Sequence, residues 1–483
     1  MSLARKVALN TSALVAGRAV VVVGGLVAVT AASRYLGLES YGAYITAVAF
    51  VGILEALTDL GVYTIAAREI ARAPQDERRI LGSVLTLSTL TTSGLAVAAW
   101  GLLQLLYAGE ADEQVREGAT LLMIGLVAMP LIGVSRAHFV AAQRAYRSAL
   151  GDVASVVTTA LIIVLAVVLD WGFAGIVAAY PAGRAVQAVA VTGLISPGLR
   201  LTVSWDWSYS ARLLVTALPL GAAMVASLVY FRIDALLVGA FESAEEVALY
   251  GLAFKVVETM LVLPGLLMAT LYPEIARLER RGEGLRSIMT QAVGLMVVIA
   301  VPTVVLIGVF AEELVTLVGG AKFEAAASTL RLMGVALALT FLTGVYGQAL
   351  VAIGRQADLL RVALIVLVVN VGLNVALIPV LGIEGAAAAL VVSDLINLLA
   401  VRHAYLKHAS PPERGPRARL ALAGCSLLVA VAIKQLVPLE GGALLVVGVA
   451  TALSCYLASL LMLNALPRGM RALLLPTRLG GGA

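Results

Sequence analysis

Between Leu213 and Leu278 two long apolar runs flank a short acidic turn, and both runs carry ionisable residues: Arg232 and Asp234 in the first, Lys255 and Glu258 in the second. Runs of about 20 residues at a rise of 1.5 Å per residue are long enough to cross hydrocarbon as helices. A charge near the bilayer centre costs ~2.5–3.5 kcal/mol on insertion scales, so such residues face a bundle interior or a wet cavity. The hairpin therefore reads as part of a transport path.

The same pattern recurs along the 483 residues, of which 61% are hydrophobic, and this excludes a soluble globule with one core. Hydropathy and breaker residues predict about fourteen spans, near 10–32, 42–66, 81–107, 118–141, 149–169, 173–195, 212–240, 248–272, 287–310, 325–351, 359–380, 385–405, 418–436 and 442–464. The expected fold is an all-α polytopic membrane protein. The basic start MSLARKVALN leads into a long apolar run carrying Arg18, which reads as a retained first span rather than a cleaved signal. Cys425 and Cys455 both fall in apolar runs and read as buried thiols rather than a disulfide. The polar segments Ser196–Arg212 and Leu406–Arg419 read as linkers, the first with an interfacial piece at Trp205, Trp207 and Tyr209.

Loop charge sets the expected orientation. With the N-terminus inside, alternate loops collect most of the cations, including Arg68–Arg79, Arg277–Arg286 and Arg402–Arg419. The opposite loops are short and often acidic, at Glu110–Glu117, Glu242–Glu246 and Glu312/Glu313. This positive-inside bias places both termini in the cytoplasm and the protein in the cytoplasmic membrane. It also accounts for the net charge of +5 through anionic lipid, with no nucleic-acid partner required.

An internal repeat is visible. YLGLESYGAY…LGVYTIAAREIARA in the first spans returns as LVGAFESAEEVALYGLA…LYPEIARLE, with Glu69-Ile70-Ala71-Arg72 matched by Glu274-Ile275-Ala276-Arg277. Six spans separate the copies, so the repeats run in the same orientation, related by an axis along the membrane normal. The expected domains are an N-lobe of spans 1–6 (1–205), a C-lobe of spans 7–12 (206–408), and an appended pair of spans with a tail (409–483). A cavity is expected between the lobes.

These segments, with AAQRAYRSALGD after span 4 and NVALIPVLGIEGAAAALVVSD across spans 11 and 12, resemble the polysaccharide (O-antigen type) flippases of the multidrug/oligosaccharidyl-lipid/polysaccharide (MOP) exporter superfamily. The resemblance covers nearly the whole chain. It implies a two-lobed bundle that moves polyprenyl-pyrophosphate-linked oligosaccharide to the outer leaflet by alternating access, coupled to a sodium or proton gradient. It further implies a monomer working beside a polysaccharide polymerase and glycosyltransferases.

The anionic head of such a substrate must cross hydrocarbon, and Arg suits it because its planar guanidinium stays charged and donates two parallel hydrogen bonds. Intramembrane candidates are Arg18, Arg184 and Arg232, which lie deepest, followed by Lys255, Arg136 and Arg331. The competing reading for each is a structural ion pair or a snorkelling side chain. Among acids, Glu55 and Asp59 share a face at i,i+4, suited either to proton carriage or to neutralising Arg18 or Arg184. Lys255 can pair with Asp234 at similar depth or with Glu258 at i,i+3. Asn370, Asn374, Ser393, Asp394 and Asp234 offer oxygen ligands for a hard cation, and similarity to lipid II flippases of the same superfamily implies sodium at Asp234, Asn374 and Asp394. Helix-packing amides are the alternative. His138 reads as a core or interfacial histidine. Pro130, Pro181, Pro219, Pro264 and Pro302 are candidate bending points.

Other classes fit less well. Neither GxxxxGK[ST] nor HExxH occurs, and no outer loop is long enough for a folded enzyme domain. Aromatics make up only 6%, low for a multidrug exporter with aromatic binding walls. That exporter and a lipid II flippase are the alternatives.

Overall fold

The computed structural model describes residues 3–109, 113–195, 203–204, 206–262, 264–265, 274–275, 277–279, 281, 284–412, 424, 428–436 and 441–462. All regular elements among the described residues are helical, and eleven helices are long and apolar enough to cross a membrane. The chain gathers into two compact units, Met1–Gly251 and Leu252–Ala483.

The first unit contains α1 (Leu3–Tyr35), α2 (Leu38–Asp59), α3 (Val62–Arg72), α4 (Glu77–Leu106), α5 (Glu113–Met123), α6 (Met129–Ala141), α7 (Tyr146–Val168), α8 (Gly172–Gly193) and α9 (Trp207–Phe241). It also takes the start of α10 (Ala244–Met260). Two expected spans are interrupted. That at 42–66 breaks where Leu60 and Gly61 take φ of 43° and 74°, left-handed values that end one helix before the next begins. That at 118–141 passes through a 3-10 turn at Ile124–Ala128 ahead of Pro130. The segment expected as a linker up to Arg212 is already helical from Trp207, because Asp206 caps α9 by accepting from the Tyr209 amide at 3.0 Å. Trp205 lies outside the described residues, while Trp207 is exposed.

Matching positions of the two repeat segments can be compared among the described residues. Tyr41 and Tyr250, at matching positions, are fully buried. The glycine after each packs against the other copy. A Cβ on Gly42 would lie 1.7 Å from the Ala244 carbonyl oxygen, and one on Gly251 would lie 2.6 Å from Ile45. Glu69 pairs with Arg72 at 3.7 Å, and Glu274 pairs with Arg277 in the same i,i+3 relation.

The second unit holds α11 (Arg286–Gly319), α12 (Ala326–Ala352), α13 (Gln356–Leu406), α14 (Leu428–Leu436) and α15 (Gly441–Met462). In α11 the non-helical residue is Phe310 (φ −107°, ψ 23°) rather than Pro302, whose surroundings remain helical. Phe310 is buried against α15 in a cluster with Leu445 and Tyr456, which explains the bend there. Glu312 and Glu313, expected in an outer loop, sit in α11 beyond the bend. Lys434 of α14 donates to the Val309 carbonyl at 3.0 Å and approaches Glu313 at 2.9 Å.

α13 has 51 residues. Straight, it would extend roughly 76 Å. Yet His408, just past its end, lies 3.2 Å from Asp358 in its first turn. The helix therefore folds back, and Gly382 (φ 62°, ψ −141°) is the turn. Its two arms are the spans expected at 359–380 and 385–405. Cys455 is a free thiol, whereas Cys425 lies outside the described residues.

Candidate functional site

A polar ladder runs across four helices of the first unit. On α8, Tyr180, Arg184 and Gln187 recur at i, i+4 and i+7, which puts them on one face. Arg184 Nη2 donates to both oxygens of Glu55 on α2, at 2.8 and 2.9 Å, and to Tyr180 Oη at 3.2 Å. The Tyr180 hydroxyl also donates to Glu55, and the guanidinium lies 5.0 Å from the Tyr180 ring centroid. Arg184 Nη1 donates to Gln187 Oε1 at 3.0 Å, and Gln187 Nε2 donates to Asp152 of α7 at 2.7 Å. Arg136 of α6 closes the ladder, 3.5 Å from Asp152.

The pair at its centre is well covered: the Arg184 and Glu55 side chains keep 24% and 21% of their exposure. Arg184 Nε is buried with no hydrogen-bond partner among the described residues. A buried donor without an acceptor is costly, so this N–H is an unmet demand on a guanidinium otherwise held by three neighbours. Arg232 of α9 reaches the same helix. Its side chain lies over Gly52, whose added Cβ would sit 3.4 Å from Arg232 Nε. Gly52 and Glu55 are one turn apart, so both arginines address one face of α2.

The remaining candidates separate. Arg18 is exposed on α1. Asp59 sits at the end of α2, with Oδ1 buried and unpartnered among the described residues. Glu55 neutralises Arg184, one of the two partners considered for it. Asp234 is buried and accepts from Tyr250 Oη at 3.0 Å. Lys255 pairs with Glu258 at 2.7 Å, the i,i+3 alternative. Arg331 pairs with Glu312 at 2.6 Å and stays half-exposed. His138 is a core histidine whose Nδ1 lies 2.6 Å from Glu77. Tyr180, Gln187 and Asp152 were not anticipated, although the heptad-like spacing around Arg184 was visible.

A second polar group lies in the α13 hairpin. Asn370 and Asp394 are equally far in sequence from Gly382, hence at one level of the two arms. Asn370, Asn374, Ser393 and Asp394 are all buried. Asn374 Nδ2 donates to the Asn370 carbonyl at 2.9 Å, and Thr340 of α12 donates to Asp394 at 2.8 Å. Both side-chain polar atoms of Asn370 and the Ser393 hydroxyl lack partners among the described residues. This set of a carboxylate, amides and hydroxyls fits the oxygen chemistry of a hard cation. Asp234, the third expected ligand, belongs to the first unit.

A family model described as polysaccharide biosynthesis protein matches residues 32–328, more than half the chain, and spans the ladder and both repeat copies. The chain belongs to the polysaccharide biosynthesis protein family. A model described as lipid II flippase MurJ matches residues 246–447 of this family member. Two proteins of Haloferax volcanii are similar to it: a probable low-salt glycan biosynthesis flippase, 26% identical, and the probable flippase AglR, 28% identical. Each match covers 36% of this chain and 37% of the relative. In fold the protein is similar to lipid II flippase MurJ in an inward closed conformation, with a TM-score of 0.80 at 15% identity over 95% of this chain and 100% of that one. A multidrug resistance MATE family transporter in an inward-facing conformation gives 0.67 at 19% identity, over 84% and 95% of the two chains.

Proposed function

We propose that the protein is a flippase that carries a polyprenyl-pyrophosphate-linked oligosaccharide from the inner to the outer leaflet of the cytoplasmic membrane for surface polysaccharide export. The observation that carries this reading is the Arg184 guanidinium, held by Glu55, Tyr180 and Gln187 inside a membrane bundle with a buried Nε–H to spare. A fixed donor of that kind, with Arg232 on the same face of α2, suits a phosphate oxygen better than a neutral drug. Family membership and the similarity to glycan flippases support the substrate class.

In this reading residues 1–205 and 206–408 are lobes of a parallel repeat that alternate in access, and 409–483 adds two helices and a cytoplasmic tail. The contact of Gly42 with Ala244 and of Gly251 with Ile45 supports the repeat. Asn370, Asn374 and Asp394 would hold a sodium ion whose binding favours one conformation, while Glu55 and Asp59 are the proton-carrying alternative. Both termini face the cytoplasm, and the polymerase and glycosyltransferases that handle the glycan are the expected partners.

The test is outer-leaflet exposure of a polyprenyl-pyrophosphate oligosaccharide in proteoliposomes under imposed sodium or proton gradients, with bare carrier and a cationic drug as controls. Exposure of the glycan-lipid alone is expected, and Arg232→Ala abolishes it while the protein remains inserted. Movement of the drug without the glycan-lipid would favour an exporter instead.

A further inference from the structure

A cavity of 730 Å³ opens in the second unit where four helix ends meet. Arg286 at the start of α11, Arg355 ahead of α13 and His408 past the end of α13 line it, with Glu279, Leu285 and Leu406. Its size falls in the range of about 300–1,000 Å³ typical of small-molecule sites. Its wall sets two arginines and a histidine against one glutamate among apolar side chains, which points to an anionic ligand.

The backbone presents the two arginines in a defined way. Gly354 (φ 75°) ends α12, its N–H bonding to the Val351 carbonyl at 3.1 Å, while the Arg355 N–H bonds to the Leu350 carbonyl at 2.8 Å. This is a Schellman closure, and it fixes the Arg355 backbone at the cavity wall without using its guanidinium. Leu285, the N-cap residue of α11, and Arg286, its first residue, both border the space. They bring with them the partial positive charge of a helix start. The nearby acid Asp358 is already engaged by His408 at 3.2 Å and by Arg361 at 3.3 Å. Glu279 is the acid on the wall itself.

All these helix ends fall on the side that the loop charges assign to the cytoplasm, where the leaflet is anionic. Basic pockets between transmembrane helices on that side suit phosphate headgroups. We propose that this cavity binds a phosphate group, clamped between Arg286 and Arg355 with His408 beside them. It is distinct from the ladder of the first unit. Its ligand is either the phosphodiester of an anionic lipid or a soluble phosphate. The proposal does not depend on the flippase reading, since binding is measured with no glycan-lipid present.

The experiment uses the full chain in nanodiscs. Wild type and Arg286→Gln/Arg355→Gln are compared for retention of phosphatidylglycerol by native mass spectrometry. Their thermal midpoints are compared in pure phosphatidylcholine discs with and without inorganic pyrophosphate. Loss of two charge-assisted contacts weakens binding roughly tenfold or more. Selective retention of phosphatidylglycerol by wild type supports the lipid source. A pyrophosphate-dependent rise in midpoint, absent from the variant, supports the soluble source. If neither ligand distinguishes wild type from variant, the proposal is overturned. Arg355→Gln alone, at an exposed position, makes the same comparison should the double variant fail to fold.

Discussion

Arg184 and Glu55 allow structure and transport to be separated in one thermodynamic cycle. Arg184→Met removes both hydrogen bonds to Glu55, of 2.8 and 2.9 Å, with those to Tyr180 and Gln187, and leaves the Glu55 carboxylate with the Tyr180 hydroxyl alone. Breaking a buried pair by deleting one partner costs about 3–5 kcal/mol. Because both side chains keep over a fifth of their exposure, the low end applies, about 3 kcal/mol. Arg184→Met with Glu55→Gln removes both charges together, and a neutral replacement of similar volume costs roughly 1 kcal/mol or less. Adding Glu55→Gln to Arg184→Met is therefore expected to recover about 2 kcal/mol. Unfolding midpoints in detergent measure stability, and glycan-lipid exposure in proteoliposomes measures transport. The expected outcome is a double variant restored in stability and dead in transport, because the spare Nε–H is gone. Full transport by the double variant would reduce the ladder to a structural device. Single variants as stable as wild type would refute the burial argument itself.

Three further outcomes follow from the packing and electrostatics. Gly42→Ala drives a methyl into the Ala244 backbone, which cannot yield like a side-chain tip, so it destabilises by about 1–3 kcal/mol. Gly25→Ala, which meets nothing within 4 Å, is the neutral control in the same thermal-unfolding assay. Asn370→Leu abolishes any sodium-dependent rise in midpoint if the α13 hairpin binds the ion. An unchanged sodium response in that variant would leave Asn370 as a packing amide. The Arg79 hydrogen bond holds the Asp206 carboxyl below its usual value. A carboxylate depressed in the folded state stabilises fully above its unfolded value near about 3.9 and loses that stabilisation as pH falls through the folded one. Amide protection at the start of α9, taken relative to the intrinsic exchange rate at each pH, is therefore expected to hold from neutral pH down to about 5 and to fall only in stronger acid. Asp206→Asn removes the acid-dependent part, and an unchanged acid response in that variant would refute the assignment.

Apolar run length and breaker residues were enough to read a helical membrane protein from the sequence, because lipid imposes a one-dimensional test on each segment. The α13 arms on either side of Gly382 were legible for that reason, as was the EIAR repeat, whose Glu–Arg pairs form locally at i,i+3. Arg184 and Glu55 were legible as charges at membrane depth. Their partnership was one of several open choices, since periodicity along one helix says nothing about which neighbouring helix supplies the counter-charge. Only the tertiary structure decided that α2 meets α8 through Glu55, that Asp152 of α7 joins through Gln187, and that Lys255 takes Glu258. It also moved the bend of α11 from Pro302 to Phe310, where packing against α15 outweighs the missing N–H of a proline. The sequence by itself determined a helical polytopic membrane protein and which charges travel with its apolar segments, because burial in lipid is settled residue by residue. Which of those charges neutralise one another, and which keep a donor for a ligand, depends on distances between helices far apart in the chain, and only the packed structure contains those.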